Sequence, residues 1–98
     1  MPPNSNNKRK KKVDYEALNA PLMQIPGMKV EAVRALMNAD VREIYELAGR
    51  APEVLFEEAR QKTYDLGSEI LPYFRLAVYY AESEDPDPAK LHAYVWDS

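Results

Sequence analysis

The sequence predicts a compact all-α domain of five to six helices over residues 13–98. Apolar residues recur at spacings of three and four in successive segments, as on one face of an amphipathic helix. The breaks between these segments fall at prolines and glycines, which are the strongest local signals for turns. The most apolar segment, about residues 69–81, is too long for a buried strand, so its length favours a helix. These three observations place the chain in the all-α class.

The first half of the domain is organised around a Pro-Gly step. We expect a first helix at about residues 14–20, with Asp14 as its N-cap. After a second short turn the chain reaches Pro26-Gly27, and a helical pattern resumes at once over about residues 29–38. The segment is therefore predicted to form a helix, a tight hairpin and a second helix.

The second half supplies the remaining helices. We expect them at about residues 41–49, 52–63 and 69–81, and the last is the central, buried helix because it is apolar almost all round. Pro52 fits the first turn of its helix, where a proline is tolerated. Asp87-Pro88 then begins a short final helix as cap and first residue. This helix is expected to return four apolar side chains to the core: Leu91, Tyr94, Val95 and Trp96.

Composition excludes several classes of protein. The 98 residues make one domain at most, and a content of 46% hydrophobic and 30% charged residues is typical of a globular protein. The absence of cysteine rules out disulfides and thiol chemistry and removes the commonest zinc ligand. No apolar run approaches the roughly 18 residues that a membrane-spanning helix needs. We therefore expect a cytoplasmic protein with no membrane partner, no metal and no cofactor.

Charge is distributed unevenly along the chain. Residues 1–12 contain five cations and no acid, whereas residues 13–98 carry a net charge of −8. Because residues 1–12 lack apolar periodicity, they are predicted to be a disordered basic arm. Its cations, which either neutralise phosphates or solubilise the chain, are Lys8, Arg9, Lys10, Lys11 and Lys12. The acidic charge of the domain counts against strong non-specific DNA binding by the fold alone.

The Pro-Gly hairpin is the main candidate for chemistry. Successive backbone N–H groups at a tight turn that opens a helix form a small anion-binding nest, and the helix N-terminus adds partial positive charge. Gly27 suits this turn because glycine permits a positive φ and a close approach. Lys29 offers its ammonium as a point charge for a phosphate. If Lys29 instead distorts the turn, the nest is lost and the hairpin only connects two helices.

The hairpin resembles that of the helix-hairpin-helix family, whose core is hydrophobic-Pro-Gly-hydrophobic-Gly followed by a helix containing an alanine. The chain matches at Ile25, Pro26, Gly27, Met28 and Ala32, whereas Lys29 replaces the second glycine. The resemblance implies contacts with the DNA phosphate backbone, which position a protein without reading sequence. The residues that it implies at the interface are Gln24, Pro26, Gly27, Met28, Lys29 and Val30, joined by the five cations of the arm.

A longer pattern covers most of the chain, in the order Ile25-Pro26-Gly27, Leu55-Phe56, residues 74–81, Pro86-Asp87-Pro88 and Trp96. In this order of segments the chain is similar to the pathogenicity locus family of small bacterial proteins. These proteins are single helix-hairpin-helix domains, so the resemblance implies a SAM-like all-α fold. The chain departs from the family in having Leu76 where a cysteine is usual. It also has Tyr94 and Trp96 in place of a denser tryptophan cluster.

The other polar and aromatic residues are expected to be structural. Arg75, on the apolar helix, is expected to form an ion pair or to emerge at an edge rather than to contact phosphate. His92 has no metal-ligand partner on its own helix face, and the acidic residues of the 82–88 loop lack the spacing of a calcium loop. Most of the seven tyrosines are expected in the core, with Tyr64 and Tyr94 as candidates for exposure. Because no nucleophile–base pair is evident, we expect no enzyme activity.

Two functions follow from these features. The first is a non-enzymatic module that binds DNA phosphates through the hairpin, strengthened by the arm. A lone helix-hairpin-helix often works in pairs, so this function is compatible with a homodimer. The second is a protein-interaction domain with a structural hairpin and an acidic surface that engages a basic partner. The charge around Lys29 discriminates between them, because a positive patch favours DNA and a ring of acids disfavours it.

Overall fold

The computed structural model describes residues 12–98, and this part of the chain is helical with no strand. Four α-helices form the domain: α1 (Tyr15–Leu18), α2 (Val30–Asn38), α3 (Pro52–Lys62) and α4 (Leu71–Glu82). Between and after them lie five 3-10 turns: Pro21–Gln24, Ile44–Leu47, Ser68–Ile70, Pro88–Lys90 and Ala93–Trp96. The all-α prediction is confirmed.

The prediction of five to six helices is wrong, since the described residues form four. The segment expected to be a helix over 41–49 holds only the 3-10 turn Ile44–Leu47. The backbone of Glu43 is extended and Gly49 has a φ of 81°, so too few residues lie between them for an α-helix. The expected final helix is likewise two 3-10 turns, because the backbone of His92 between them is extended.

Several helix boundaries follow from local chemistry that the sequence predicts. Asp14 caps α1, because its carboxylate accepts a hydrogen bond from the Ala17 N–H at 3.1 Å. Pro52 and Pro72 occupy the first turns of α3 and α4, where a missing N–H costs nothing. Asp87 caps the turn at Pro88, since its carboxylate accepts from the Ala89 N–H at 3.0 Å.

The core lies around α4, which packs against α3 and the C-terminal turn. Phe74 of α4 is fully buried and meets Phe56 of α3 edge-on, with ring centroids 5.5 Å apart. Such an arrangement is favoured for aromatic rings. The other large, fully buried side chains are Leu22, Ile25, Leu36, Leu47, Leu55, Ile70, Leu76, Val33 and Val41. The central position predicted for the 69–81 segment is confirmed.

The C-terminal segment (residues 87–98) covers the surface and does not enter the core, contrary to expectation. Tyr94 is 76% exposed, and Val95 is exposed as well. Two hydrogen bonds fix the segment on the surface of the domain. The Arg75 guanidinium of α4 donates to the Trp96 carbonyl at 2.6 Å, and the Trp96 indole N–H donates to the Lys90 carbonyl at 2.9 Å. The Trp96 ring also lies 5.2 Å from that of Tyr79.

The predicted arm falls largely outside the described residues, which include only Lys12 of its five cations, and this lysine is exposed. No helix in the described part of the chain has both the length and the apolar content to cross a bilayer.

Candidate nucleic-acid interface

The hairpin is a hydrogen-bonded turn between the 3-10 turn Pro21–Gln24 and α2. The Met28 N–H donates to the Ile25 carbonyl at 3.2 Å, with Pro26 and Gly27 as the two central residues. Gly27 has a φ of 77°, the value that a type II turn requires at its second central position. Lys29 is the N-cap of α2 with extended dihedral angles, so it fits the turn without a positive φ.

The predicted hairpin residues form one continuous surface feature. Four of them are exposed: Gln24, Pro26, Gly27 and Lys29. Met28 and Val30 are half-buried and pack against the core, which fixes the hairpin to the domain. The remaining predicted site residues Lys8, Arg9, Lys10 and Lys11 lie outside the described residues, so the structure brings together the hairpin set alone.

Gly27 is required by packing as well as by its dihedral angle. A Cβ atom added to Gly27 would lie 2.5 Å from the carbonyl oxygen of Leu91 and 3.3 Å from Cδ2 of Leu76. The C-terminal segment therefore touches the hairpin, and one side of Gly27 is covered by the protein's own backbone. The glycine is thus fully explained by the fold, and its presence is not a specific sign of a phosphate site.

The hairpin also carries backbone donors without an acceptor among the described residues. Within residues 12–98, no backbone acceptor takes the N–H groups of Gly27 and Lys29, and no side chain caps the start of α2. The first turn of a helix leaves its N–H groups without intrahelical partners. Together these donors and the helix dipole form an edge that suits an anion.

Lys29 is the only cation of the hairpin, and it is paired with an acid. Its ammonium lies 3.5 Å from the Glu31 carboxylate and 5.8 Å from the centre of the Tyr73 ring. Tyr73 in turn lines a shallow depression together with Glu69 and Asp97. Of the two alternatives for the charge around Lys29, the described residues do not form the positive patch that would favour DNA. A surface ion pair of this kind is nevertheless weak, on the order of 0–1 kcal/mol, so a phosphate can displace Glu31.

Ion pairs also occupy most other cations of the described residues. The guanidinium of Arg34 contacts Asp14 at 2.7 Å and Glu16 at 2.8 Å, which lowers the pKa of Asp14 to about 2 and also lowers that of Glu16. Further pairs join Arg42 to Glu16, Arg50 to Glu58, Arg60 to Glu57 and Lys62 to Asp40. These contacts leave the domain with little unpaired positive charge to present to a polyanion.

A cleft of about 530 Å³ lies between α3, α4 and the C-terminal segment. Arg75 lies in it and contacts Glu53 at 3.0 Å as well as the Trp96 carbonyl. Its guanidinium lowers the pKa of Glu53. The expectation of a structural ion pair for Arg75 is therefore confirmed, and the pair joins α3, α4 and the C-terminus.

The tyrosines are more exposed than expected. None of the seven is buried, and four of them have large exposed fractions: Tyr15, Tyr45, Tyr64 and Tyr94. The Tyr94 ring is stacked on His92, with ring centroids 5.3 Å apart and 23° between the ring planes. Sequence reasoning missed this pair because it placed both residues on a helix. The pair forms where the extended residue His92 precedes the 3-10 turn Ala93–Trp96, and the helical spacing of apolar residues gives no signal of that junction.

Among residues 12–98, no group of three metal-binding side chains is close enough to hold an ion. Comparison with protein-family models, with curated proteins and with solved structures finds no significant match for the chain.

Proposed function

We propose that the protein is a non-enzymatic module that binds the DNA phosphate backbone through its hairpin, without sequence specificity. The observation that carries the proposal is the exposed edge of free N–H groups where the type II turn meets the uncapped start of α2. The helix-hairpin-helix resemblance points to the same residues. Backbone donors bind phosphate oxygens but do not distinguish bases, so the binding is independent of sequence.

The arm supplies the charge that the domain lacks. Residues 13–98 carry −8, and the only hairpin cation is paired with Glu31, so long-range attraction to DNA must come from elsewhere. The first 12 residues carry +5. In this proposal the arm lies along the same DNA as the hairpin, and its cations meet further phosphates. In this arrangement the arm gives affinity and the hairpin gives orientation.

The test measures the affinity of the full-length protein for a labelled duplex by fluorescence anisotropy at several salt concentrations. Lys29→Gln is compared with Lys62→Gln, a matched control because Lys62 is also an exposed lysine paired with one carboxylate, Asp40, at 3.4 Å. Loss of one phosphate contact lowers the slope of log K against log salt by about 0.9 for B-DNA. We expect this change for Lys29→Gln alone. Equal slopes for the two variants would contradict a phosphate contact by Lys29, the only cation of the hairpin.

A second candidate is a protein-interaction domain that engages a basic partner. Two observations favour it: the Glu31 carboxylate lies 3.5 Å from the Lys29 ammonium, and two further acids, Glu69 and Asp97, line the same depression as Tyr73. Recovery of one stoichiometric protein partner, with no DNA shift at low salt, would favour this candidate over the first. A salt-sensitive DNA shift without a stoichiometric partner would exclude it.

A further inference from the structure

We propose that the stacked pair His92 and Tyr94 is a platform for an unpaired DNA base beside the hairpin, so that the protein prefers DNA with a single-stranded end or gap. This inference rests on the proposed function, because it names the form of DNA that the same surface selects. Stacking on aromatic side chains is the usual way in which proteins hold unpaired bases, and it tolerates any sequence because every base has a π-face.

The platform has the geometry that stacking requires. The two rings lie nearly parallel, 5.3 Å apart with 23° between their planes, and Tyr94 is 76% exposed. In a stacked pair of this kind, the outer face of one ring is available to a third planar group. A single exposed tyrosine would have to be ordered on binding, whereas here His92 already restricts the ring of Tyr94.

The platform lies next to the phosphate-binding edge. Leu91, the residue before His92, touches Gly27 through its carbonyl oxygen. Tyr94 is the third residue after Leu91, so their backbones are at most about 11 Å apart even if fully extended. Tyr73, beneath the ammonium of Lys29, also lines the same depression as Tyr94. A nucleotide whose phosphate contacts the hairpin therefore has its base within reach of the rings.

The platform is fixed at both ends, unlike a free chain terminus. On one side, the Lys90 carbonyl accepts from the indole of Trp96 at 2.9 Å. On the other, the Trp96 carbonyl accepts from Arg75 at 2.6 Å, and the Val95 N–H donates to the His92 carbonyl at 3.0 Å. These contacts hold residues 90–96 as one closed loop, so the rings are preorganised and little entropy is lost on stacking.

The acids of the depression set the orientation of the nucleotide. Glu69 and Asp97 lie in the depression with Tyr73 and Tyr94, where they repel a phosphate. A base is uncharged and is not repelled. The backbone is therefore directed to the N–H groups of the hairpin, and the base is directed to the rings.

The experiment compares two labelled probes by anisotropy: a blunt duplex, and the same duplex with a short single-stranded tail. The full-length protein is tested as wild type, Tyr94→Ala, Tyr94→Phe and Tyr64→Ala. Tyr64 is the matched control because it is a tyrosine with 98% exposure in the loop after α3. One stacked base at an exposed site is worth about a fivefold change in affinity, the lower end of the measured range.

We expect wild type to bind the tailed probe about fivefold more tightly than the blunt one. Tyr94→Ala should remove this preference and leave the blunt duplex unaffected, whereas Tyr94→Phe and Tyr64→Ala should retain it. Equal binding of the two probes by wild type would overturn the inference while the proposed function stands. Absence of binding to both probes would overturn the two together. Loss of a protein partner by Tyr94→Ala, with the tail preference intact, would assign the platform to protein binding.

Discussion

The contact between the hairpin and the C-terminal segment makes Gly27→Ala an informative substitution. The new Cβ atom would meet the Leu91 carbonyl oxygen at 2.5 Å and Cδ2 of Leu76 at 3.3 Å. The carbonyl belongs to the backbone, so the C-terminal segment has to move. Gly49→Ala is a matched control, because Gly49 has a φ of 81° and no atom within 4 Å of its Cβ position. The control carries the same dihedral strain without the steric clash.

The expected losses of stability differ for the two variants. A non-glycine residue in the left-handed region costs about 1–2 kcal/mol, which applies to both. Overpacking adds about 1–3 kcal/mol at Gly27 only. In a domain of this size, 1 kcal/mol shifts the melting temperature by about 4–8 °C. We therefore expect the Gly27 variant to melt about 10 °C below the Gly49 variant, taking about 2 kcal/mol for the clash.

The assay is urea and thermal unfolding followed by circular dichroism, together with the emission of Trp96, the single tryptophan. In Gly27→Ala the displaced segment should loosen the contact between Trp96 and Tyr79, so the emission of the folded state should shift to the red. Gly49→Ala should keep the wild-type emission. Equal melting temperatures and equal emission for the two variants would refute the close approach of Leu91 to the hairpin.

Three further substitutions test other parts of the structure. The pKa of Asp14 is about 2 in the folded protein and 3.8 ordinarily, so its contribution to stability is complete above pH 3.8 and is lost as the pH falls toward 2. Between pH 3.8 and pH 2 the urea midpoint of Asp14→Asn should therefore fall less than that of wild type. Arg75→Ala should lower the free energy of unfolding by about 2 kcal/mol, since it removes charged hydrogen bonds, and should red-shift the emission of Trp96. An unchanged emission would contradict the contact between Arg75 and the Trp96 carbonyl. Phe74→Ala should lower the free energy of unfolding by about 3–5 kcal/mol, whereas Val54→Ala, on the exposed side of α3, should change it by no more than about 0.5 kcal/mol. Comparable losses of stability in the two variants would contradict the position of Phe74 in the core.

The sequence predicts the helices that short-range signals define. Asp14 and Pro52 mark helix starts through local hydrogen bonding and sterics, which depend little on the rest of the fold. The length and apolarity of the 69–81 segment similarly predict the central helix. The structure of residues 41–49 does not follow from such short-range signals. The Glu46 carboxylate accepts hydrogen bonds from the N–H groups of Arg42 and Glu43, and these bonds place the start of the 3-10 turn at Ile44. Apolar spacing does not contain that information.

The candidate site was predictable only in part, because its surroundings are built by long-range contacts. Pro26-Gly27 predicts the turn from its own sequence. That Leu91 covers one side of Gly27 depends on a segment more than sixty residues away, which Arg75 and Trp96 hold in place. The exposure of Tyr94 has the same origin, since the segment lies on the surface where helical spacing suggested core packing.

The most direct test of hairpin binding is to follow the backbone amide signals of the ¹⁵N-labelled full-length protein by NMR during addition of a short duplex. If the hairpin holds phosphates, the largest shifts should occur at the N–H groups of Gly27, Lys29 and Val30, and they should vanish at high salt. Amides of the Tyr64 loop provide the internal reference. Shifts confined to residues 1–12, with the hairpin amides unmoved, would show that the arm alone binds DNA and would contradict the proposed function.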